Sequence, residues 1–232
     1  MTLETEEQFS AFKGLPWFNF VSSWLQVGGA GGIGSYLTFF LSRAGFSLNI
    51  NDFDIIERRN LSGQLYKQSD IGKLKVEAIY STVKEFSPSS AIFTSKKIIT
   101  ENTHLSGIYF FSAFDNMEAR KSFFKIWKRN IEYSTESGIP IFIDGRLEAE
   151  QLQIFCVTRE RISQYEDYLF SDSEIEDTTC TMKQTSHVAA MIAAFMTSFF
   201  TNHVTNMVEK NYVRDVPFLF ENFVPLTLIS RL

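Results

Sequence analysis

A run of glycines between an apolar segment and a helix-forming segment constrains this chain more than any other feature. The apolar segment, residues 24–27, reads as a buried strand, and a helical pattern covers residues 33–44. The glycines at this junction are Gly28, Gly29, Gly31, Gly32 and Gly34. Such glycines let the backbone approach a phosphate group, which then accepts hydrogen bonds from the N–H groups that begin the helix. The run therefore predicts a phosphate-binding loop in a Rossmann-type domain.

The remainder of the chain alternates between strand and helix patterns, as expected of an α/β protein. Further strands are predicted at residues 47–51, 91–99, 108–112, 140–144 and 148–158, and further helices at 73–86, 116–130 and 181–208. We predict a Rossmann-like, doubly wound, mostly parallel sheet with antiparallel strands near the C-terminus. The length of 232 residues accommodates one such domain. Within it we expect an N-terminal arm (1–20), an acidic loop (159–180) and a C-terminal hairpin (216–232).

Composition excludes several classes of protein. A net charge of −5 argues against nucleic acid as a partner, because phosphate contacts need clustered Lys and Arg. The two cysteines provide neither a disulfide framework nor a four-ligand zinc site. The N-terminus lacks the basic and apolar regions of a signal peptide. The most apolar helical stretch, Val188 to Phe200, is shorter than the roughly 20 residues of a membrane span. We therefore expect a cytoplasmic protein with no membrane contact.

A carboxylate follows the glycine loop at a distance that suits nucleotide binding. Asp52 lies 18 residues after Gly34, at the end of the second predicted strand, where it can accept the ribose hydroxyls. The spacing Gly29-x-Gly31-x-x-Gly34 also fits the fingerprint of nicotinamide dehydrogenases. On these residues alone, an NAD-dependent oxidoreductase and an ATP-dependent enzyme are equally supported.

Further motifs separate these two alternatives. The motifs, in chain order, are Gly29-Ala30-Gly31-Gly32-Ile33-Gly34, Asn51-Asp52-Phe53-Asp54, Asn60-Leu61-Ser62-Gly63-Gln64, Asp70-Ile71-Gly72-Lys73-Leu74-Lys75, and Phe114-Asp115-Asn116 with Arg120. In order and spacing the chain resembles the ThiF/MoeB/HesA family over roughly residues 24–145. This family includes the ubiquitin-activating enzymes and adenylates the C-terminal glycine of ubiquitin-like proteins. A dehydrogenase has no need of Asn60, Gln64 or Lys75.

The resemblance implies one adenylation domain over residues 1–232 and a role for each motif. It implies that ATP is the nucleotide, with Lys75 on its phosphates and Asp115 on a Mg²⁺ ion. One carboxylate suffices for Mg²⁺ when substrate oxygens provide the other ligands. The remaining nucleotide-binding positions implied by the resemblance are Gly29, Gly31, Gly32, Gly34, Asp52 at the ribose, Asp54, Asn60, Gln64 and Asn116.

The chain departs from the family at two places that supply cations. Most relatives have Arg at the position of Gly63, and many homodimeric members donate an Arg from an N-terminal segment. Here the first 42 residues contain one cation, Lys13. Arg58 and Arg59 are the nearest candidates to replace these groups. Without a replacement, the chain would be a weakly active enzyme or a non-catalytic binding partner of a ubiquitin-like protein or a catalytic subunit.

The resemblance also suggests a second chemical step and several partners. Cys180 precedes a predicted helix, whose N-terminus stabilises a thiolate. Related enzymes use a cysteine at a similar place to accept the activated tail as a thioester. We expect Cys156, in an alternating strand, to be a core residue. The expected partners are a ubiquitin-like protein ending in glycine, a conjugating enzyme and a second copy of the chain. No zinc is expected, because the cysteine pairs of zinc-binding relatives are absent.

Overall fold

The computed structural model describes residues 7–134, 138–148, 151–170 and 185–224. These residues contain one sheet of seven strands, in the order β3-β2-β1-β4-β5-β6-β7. The strands are β1 (Trp24–Gly28), β2 (Ser47–Asn51), β3 (Ile92–Ser95), β4 (Tyr109–Ser112), β5 (Ile141–Glu148), β6 (Gln151–Val157) and β7 (Leu219–Phe223). Strands β1 to β5 are parallel, and β6 and β7 are antiparallel to their neighbours. The predicted mostly parallel sheet with antiparallel C-terminal strands is confirmed.

Helices cover both faces of this sheet. They are α1 (Gly32–Arg43), α2 (Lys75–Phe86), α3 (Met117–Tyr133), α4 (Ile162–Glu166) and α5 (Ser186–Val208). Helix α5 packs along α1 and β5, and α2 packs against α1 and β3. On the opposite face, the Phe123 ring of α3 lies 4.8 Å from the ring of Phe110 on β4. Tyr165 of α4 lies 4.8 Å from Phe124 of α3, so the domain has three layers.

The order of the strands places a crevice at the carboxyl end of β1. This strand pairs with β2 on one side and with β4 on the other, so the connections leaving β1 and β4 diverge. All four residues of β4 are buried, as expected of a central strand. Ligands of open α/β sheets bind at such a switch point, because the two loops part there and expose backbone N–H groups.

Helix α5 is a core helix, although its length and composition would let it cross a membrane. It has 23 residues and extends beyond the apolar stretch Val188 to Phe200 at both ends, so length alone does not distinguish a core helix from a membrane span. Its Phe200 ring contacts the rings of Phe46, Tyr109 and Phe111, each at 5.2 Å. Packing inside the protein, rather than length, identifies α5 as part of the core.

The N-terminal arm packs at the edge of the sheet away from the glycine loop. Its described part contains two short 3₁₀ turns, Ser10–Phe12 and Pro16–Phe20. Phe9 and Phe18 are buried, and both rings lie against Gly45, which follows the end of α1. The arm therefore closes the amino-terminal end of the core.

The structure differs from the prediction in the segment that follows β6. An irregular loop was expected from residue 159, but a 3₁₀ turn (Arg159–Arg161) and helix α4 occupy residues 159–166. Tyr165 explains the difference, because its ring is fully buried against α3 and the sheet. Strand β7 pairs with β6. The second arm of the expected hairpin lies outside the described residues.

Candidate functional site

The glycine loop is tightly packed, and close contacts explain two of its glycines. Gly29 has φ +88°, and a Cβ atom there would lie 2.6 Å from the carbonyl oxygen of Ala113. A Cβ atom on Gly34 would overlap the carbonyl oxygen of Gly29. The N-cap of α1 is Gly31, which has no side-chain cap. The first N–H groups of α1 therefore remain available to an anion, and the helix dipole favours negative charge there.

Asp52 connects the end of β2 to this loop. Its Oδ2 accepts a hydrogen bond from the Ala30 N–H at 2.7 Å, and its Oδ1 accepts one from the Asp54 N–H at 2.8 Å. Burial raises the pKa of Asp52 above its usual value, and the positive charge of Lys75 opposes part of this shift. The carboxylate lies at the place predicted for a ribose ligand, and its bonds to two backbone N–H groups set its orientation.

Lys75 begins α2 with its side chain almost fully buried. Its Nζ atom lies 2.6 Å from Oδ2 of Asp54, and the exposed fractions of the two side chains are 8% and 45%. The Lys75 N–H also donates to the Asp54 carbonyl at 2.9 Å. The ion pair thus joins Asp54 and Lys75, which are 21 positions apart in the sequence, beside Asp52. The ammonium group of Lys75 is therefore paired with the Asp54 carboxylate.

The segment between Asp54 and Lys75 folds over the glycine loop. The Tyr66 hydroxyl donates to the Ala30 carbonyl at 2.5 Å, and the Leu65 N–H donates to the Ser35 hydroxyl at 3.0 Å. A Cβ atom on Gly31 would lie 4.0 Å from Nε2 of Gln64, so this predicted site residue does border the loop.

Asn60 stabilises the turn on which it lies. Its Oδ1 atom accepts the Glu57 N–H at 2.7 Å and thereby caps the 3₁₀ turn Arg58–Ser62. Gly63 ends that turn and is buried. Arg58 is exposed on the turn. Arg59 pairs with Glu57 at 2.9 Å, with 79% of its side chain exposed. The guanidinium of Arg59 is therefore directed to its own turn.

Asp115 and Asn116 lie beyond the carboxyl end of β4, next to the glycine loop. The Ala113 N–H donates to the Gly28 carbonyl at 2.8 Å, which joins the two loops directly. Asn116 is the N-cap of α3, and its Oδ1 accepts the Ala119 N–H at 2.8 Å. Its Nδ2 donates to Oδ1 of Asp115 at 3.2 Å. Asp115 is exposed. Because Asn116 performs the capping, the Asp115 carboxylate remains able to bind a ligand.

A cavity of about 510 Å³ is lined by residues of β1, β2 and β3 and of the connection between β3 and β4. Its lining includes Asn51, the residue before Asp52, and Ser95, whose carbonyl accepts the Asp52 N–H at 3.1 Å. Lys97 and His104 also border it. The cavity therefore reaches the residue before Asp52 and the strand residue whose carbonyl holds the Asp52 N–H.

A buried ionic cluster near the Asp115 loop was not predicted. It consists of Asp144, Arg120, Arg146 and Tyr165. The sequence contained a signal, since Asp144 ends a predicted strand and would lie at the same edge of the sheet as Asp52 and Asp115. Of the four residues, only Arg120 belongs to one of the sequence motifs.

The structure describes one of the two cysteines. Cys180 lies outside the described residues. Cys156 is fully buried in β6, and burial raises the pKa of its thiol to about 12, so it is a core residue.

The site as a whole combines an anion-binding helix start, a buried cation and carboxylates. Among the described residues, no group of three or more His, Cys, Asp or Glu could hold a metal ion. A cation at Asp115 would therefore need oxygens from a bound substrate. This arrangement is suited to a polyphosphate substrate that brings ligands with it.

Comparisons with known proteins identify the family and the fold. The ThiF family model matches residues 21–222. No curated protein sequence matches the chain. The structure of E. coli tRNA N6-threonylcarbamoyladenosine dehydratase (TcdA) in complex with ATP is similar, with a TM-score of 0.69, 13% identity, and coverage of 89% of this chain and 97% of TcdA. E. coli MccB with ATP gives a TM-score of 0.64 at 14% identity, covering 90% of this chain and 65% of MccB. At these identities the likeness concerns the fold.

Proposed function

Because the chain belongs to the ThiF family, we propose that it is an ATP- and Mg²⁺-dependent adenylyltransferase acting on the C-terminal glycine carboxylate of a ubiquitin-like protein. The observation that supports this best is the arrangement around the crevice. There Lys75 is held beside the Asp52 carboxylate, and the exposed Asp115 lies on the loop bonded to Gly28. A nicotinamide enzyme has no use for a buried lysine and a metal-binding carboxylate at these places.

In the proposed reaction, a carboxylate oxygen of the protein substrate attacks the α-phosphorus of ATP. The bond from that phosphorus to the bridging oxygen breaks, and pyrophosphate leaves with the electron pair. Charge on the phosphate oxygens is stabilised by the first N–H groups of α1 and by Lys75. Lys75 would exchange Asp54 for a phosphate oxygen. Asp52 would orient the ribose, and the adjoining cavity would receive the base.

Asp115 fits a Mg²⁺ ion better than a structural role. Its side chain is exposed, and the cap of α3 is supplied by Asn116 instead. Mg²⁺ usually binds one or two carboxylates together with substrate phosphates, and when bound it would neutralise charge on the phosphates. We propose that Asp115 is its protein ligand, with the Asn116 amide orienting the carboxylate at 3.2 Å.

We further propose that Cys180 accepts the acyl group from the adenylate as a thioester, with AMP leaving and the thiol proton passing to solvent. A conjugating enzyme, a homodimer and a cytoplasmic location belong to the same proposal. A Cys180→Ser variant that retains adenylation but forms no thiol-sensitive adduct with the protein substrate would support this step.

A non-catalytic binding partner is the second candidate, and Gly63 favours it. Gly63 is buried where most relatives carry Arg, and Arg59 is paired with Glu57. Such a protein would bind nucleotide or a ubiquitin-like protein without turnover.

Exchange of pyrophosphate into ATP distinguishes these functions. We expect exchange that requires a small protein ending in glycine and that disappears when its terminal glycine is removed. Asp115→Ala should lose exchange, whereas Glu118→Ala, on the first turn of α3, should retain it. Nucleotide binding without exchange would favour the non-catalytic role. Calorimetric binding of NAD in preference to ATP with Mg²⁺ would contradict both functions.

A further inference from the structure

A fully buried carboxylate lies close to the loop that carries Asp115. Asp144 on β5 pairs with Ser112, the last residue of β4, and none of its surface is exposed. One carboxylate oxygen forms an ion pair with the Arg120 guanidinium. The other accepts hydrogen bonds from Nε of Arg146 and from the Tyr165 hydroxyl, both at 2.8 Å. Two cations and a phenol thus converge on one carboxylate.

Arg120 extends this cluster to the Asp115 loop. Its Nη2 atom donates a hydrogen bond to the carbonyl of Phe114, the residue before Asp115, at 2.5 Å. Its side chain is 6% exposed. Its Nη1 atom also contacts the Ser112 hydroxyl and the Gly145 carbonyl, both at 3.4 Å. The backbone immediately before Asp115 is therefore held by a side chain whose own position depends on Asp144.

Arg146 and Tyr165 in turn hold Asp144. The Arg146 guanidinium lies over the Phe155 ring at 4.5 Å and donates to the Tyr168 carbonyl at 3.1 Å. Tyr165 packs against Phe155 at 5.4 Å. A buried ion pair contributes little net stability compared with well-packed apolar side chains of the same volume. What such a network does supply is a defined orientation for every group bonded to it.

We propose that Asp144, Arg146 and Tyr165 are positioning residues for the Mg²⁺ ligand Asp115, acting through Arg120 and the Phe114 carbonyl. This inference rests on the proposed function, because it requires Asp115 to bind Mg²⁺ together with ATP. The groups do not touch the substrate. They set where the Asp115 carboxylate lies when the phosphates arrive.

Calorimetry of ATP binding, with Mg²⁺ and with EDTA, tests the inference without the protein substrate. The variants are Tyr165→Phe, which removes one hydroxyl, and Arg146→Gln, which removes the partly exposed cation. Asp144→Asn is a third variant, and the first two decide the result if it does not fold. The matched control is Arg159→Gln, because Arg159 donates to the backbone carbonyl of Ile131, at the opposite end of α3 from Asp115.

Residues that orient a metal ligand typically change metal affinity by about 10- to 100-fold. We expect Tyr165→Phe and Arg146→Gln to lower the apparent Mg²⁺ affinity of the ATP complex by about tenfold, with ATP affinity in EDTA unchanged. Arg159→Gln should match the wild type. A purely structural role would lower the fraction of binding-competent protein and leave both affinities unaltered.

Two results would overturn the inference and are distinguishable. If the wild type binds ATP more tightly with Mg²⁺, Asp115→Ala loses this gain, and Tyr165→Phe and Arg146→Gln retain it, then the positioning role alone is wrong. If the wild type shows no gain from Mg²⁺, the metal role of Asp115 in the proposed function is wrong as well.

Discussion

Replacing Lys75 by methionine isolates the contribution of its ammonium group to nucleotide binding. Methionine retains most of the apolar length of a side chain that is 8% exposed, so the fold around α2 should persist. The Asp54 carboxylate is 45% exposed and can be hydrated once its partner is lost. Because solvent screens the half-exposed Asp54 carboxylate, its pair with Lys75 contributes about 1 kcal/mol or less, so we expect only a small loss in the free energy of unfolding.

The effect on ATP binding should be larger. Two unit charges about 4 Å apart interact with about 4 kcal/mol at an effective dielectric constant near 20. Part of this energy is already present in the free protein, because Nζ of Lys75 lies 2.6 Å from Asp54. The net gain on exchanging Asp54 for a phosphate is therefore about 1.4 to 2.8 kcal/mol, a 10- to 100-fold change in Kd.

Calorimetry with ATP and Mg²⁺ measures this change directly. The matched control is Lys73→Met, two positions earlier, where the lysine is 53% exposed and pairs with Asp70 at 2.9 Å. Lys73→Met should bind ATP as the wild type does. A Lys75→Met variant with wild-type ATP affinity would refute the assignment of Lys75 to the phosphates.

Gly34→Ala should lower the free energy of unfolding by about 1–3 kcal/mol, because its Cβ would overlap the Gly29 carbonyl. At Gly31 the nearest atom to a Cβ is Nε2 of Gln64, 4.0 Å away, so Gly31→Ala should unfold in urea as the wild type does yet bind ATP more weakly. Equal urea midpoints for Gly34→Ala and Gly31→Ala would contradict the packing argument. The pKa of Cys156 is raised to about 12 from 9.0, so the neutral thiol stabilises the fold below pH 9 and that stability is lost between pH 9 and 12. Native protein at pH 8 should therefore resist alkylation at Cys156, as read by mass spectrometry, and prompt alkylation of this residue would contradict its burial. Burial lowers the pKa of His203 below 6.5, so its neutral form stabilises the fold above pH 6.5 and that stability is lost as the pH falls. Between pH 7 and pH 5 the midpoint of thermal unfolding should fall less steeply in His203→Gln than in the wild type. Parallel declines of the two midpoints would argue against this role of His203.

Local patterns were sufficient to predict the elements around the glycine loop. The strand expected at 24–27 is β1 (Trp24–Gly28), and the helix expected at 33–44 is α1 (Gly32–Arg43). Apolar periodicity and glycine geometry both act within a few residues, so the sequence carries this information directly. The third strand was predicted too long, at 91–99 against Ile92–Ser95, because apolar residues after β3 belong to a loop.

Local sequence patterns do not predict which residues form ion pairs when the partners are far apart in the sequence. The ion pair of Asp54 with Lys75 spans 21 residues, and that of Arg120 with Asp144 spans 24. Which cation meets which carboxylate depends on the sheet register, here Ser112 beside Asp144. The sequence also placed Arg59 as a candidate phosphate ligand, and only the folded turn shows its pairing with Glu57.

The direct contact between the glycine loop and the Asp115 loop limits how this site can diversify. The Ala113 N–H bonds to Gly28, and a Cβ at Gly29 would meet the Ala113 carbonyl, so neither loop can gain a residue without displacing the other. Insertions that alter substrate choice should accumulate instead in the connection between β3 and β4, residues 96–108, which borders the cavity but bears none of these bonds to the glycine loop. In a library of insertion variants, active clones should be enriched in that connection and depleted at 29–31 and 113–115.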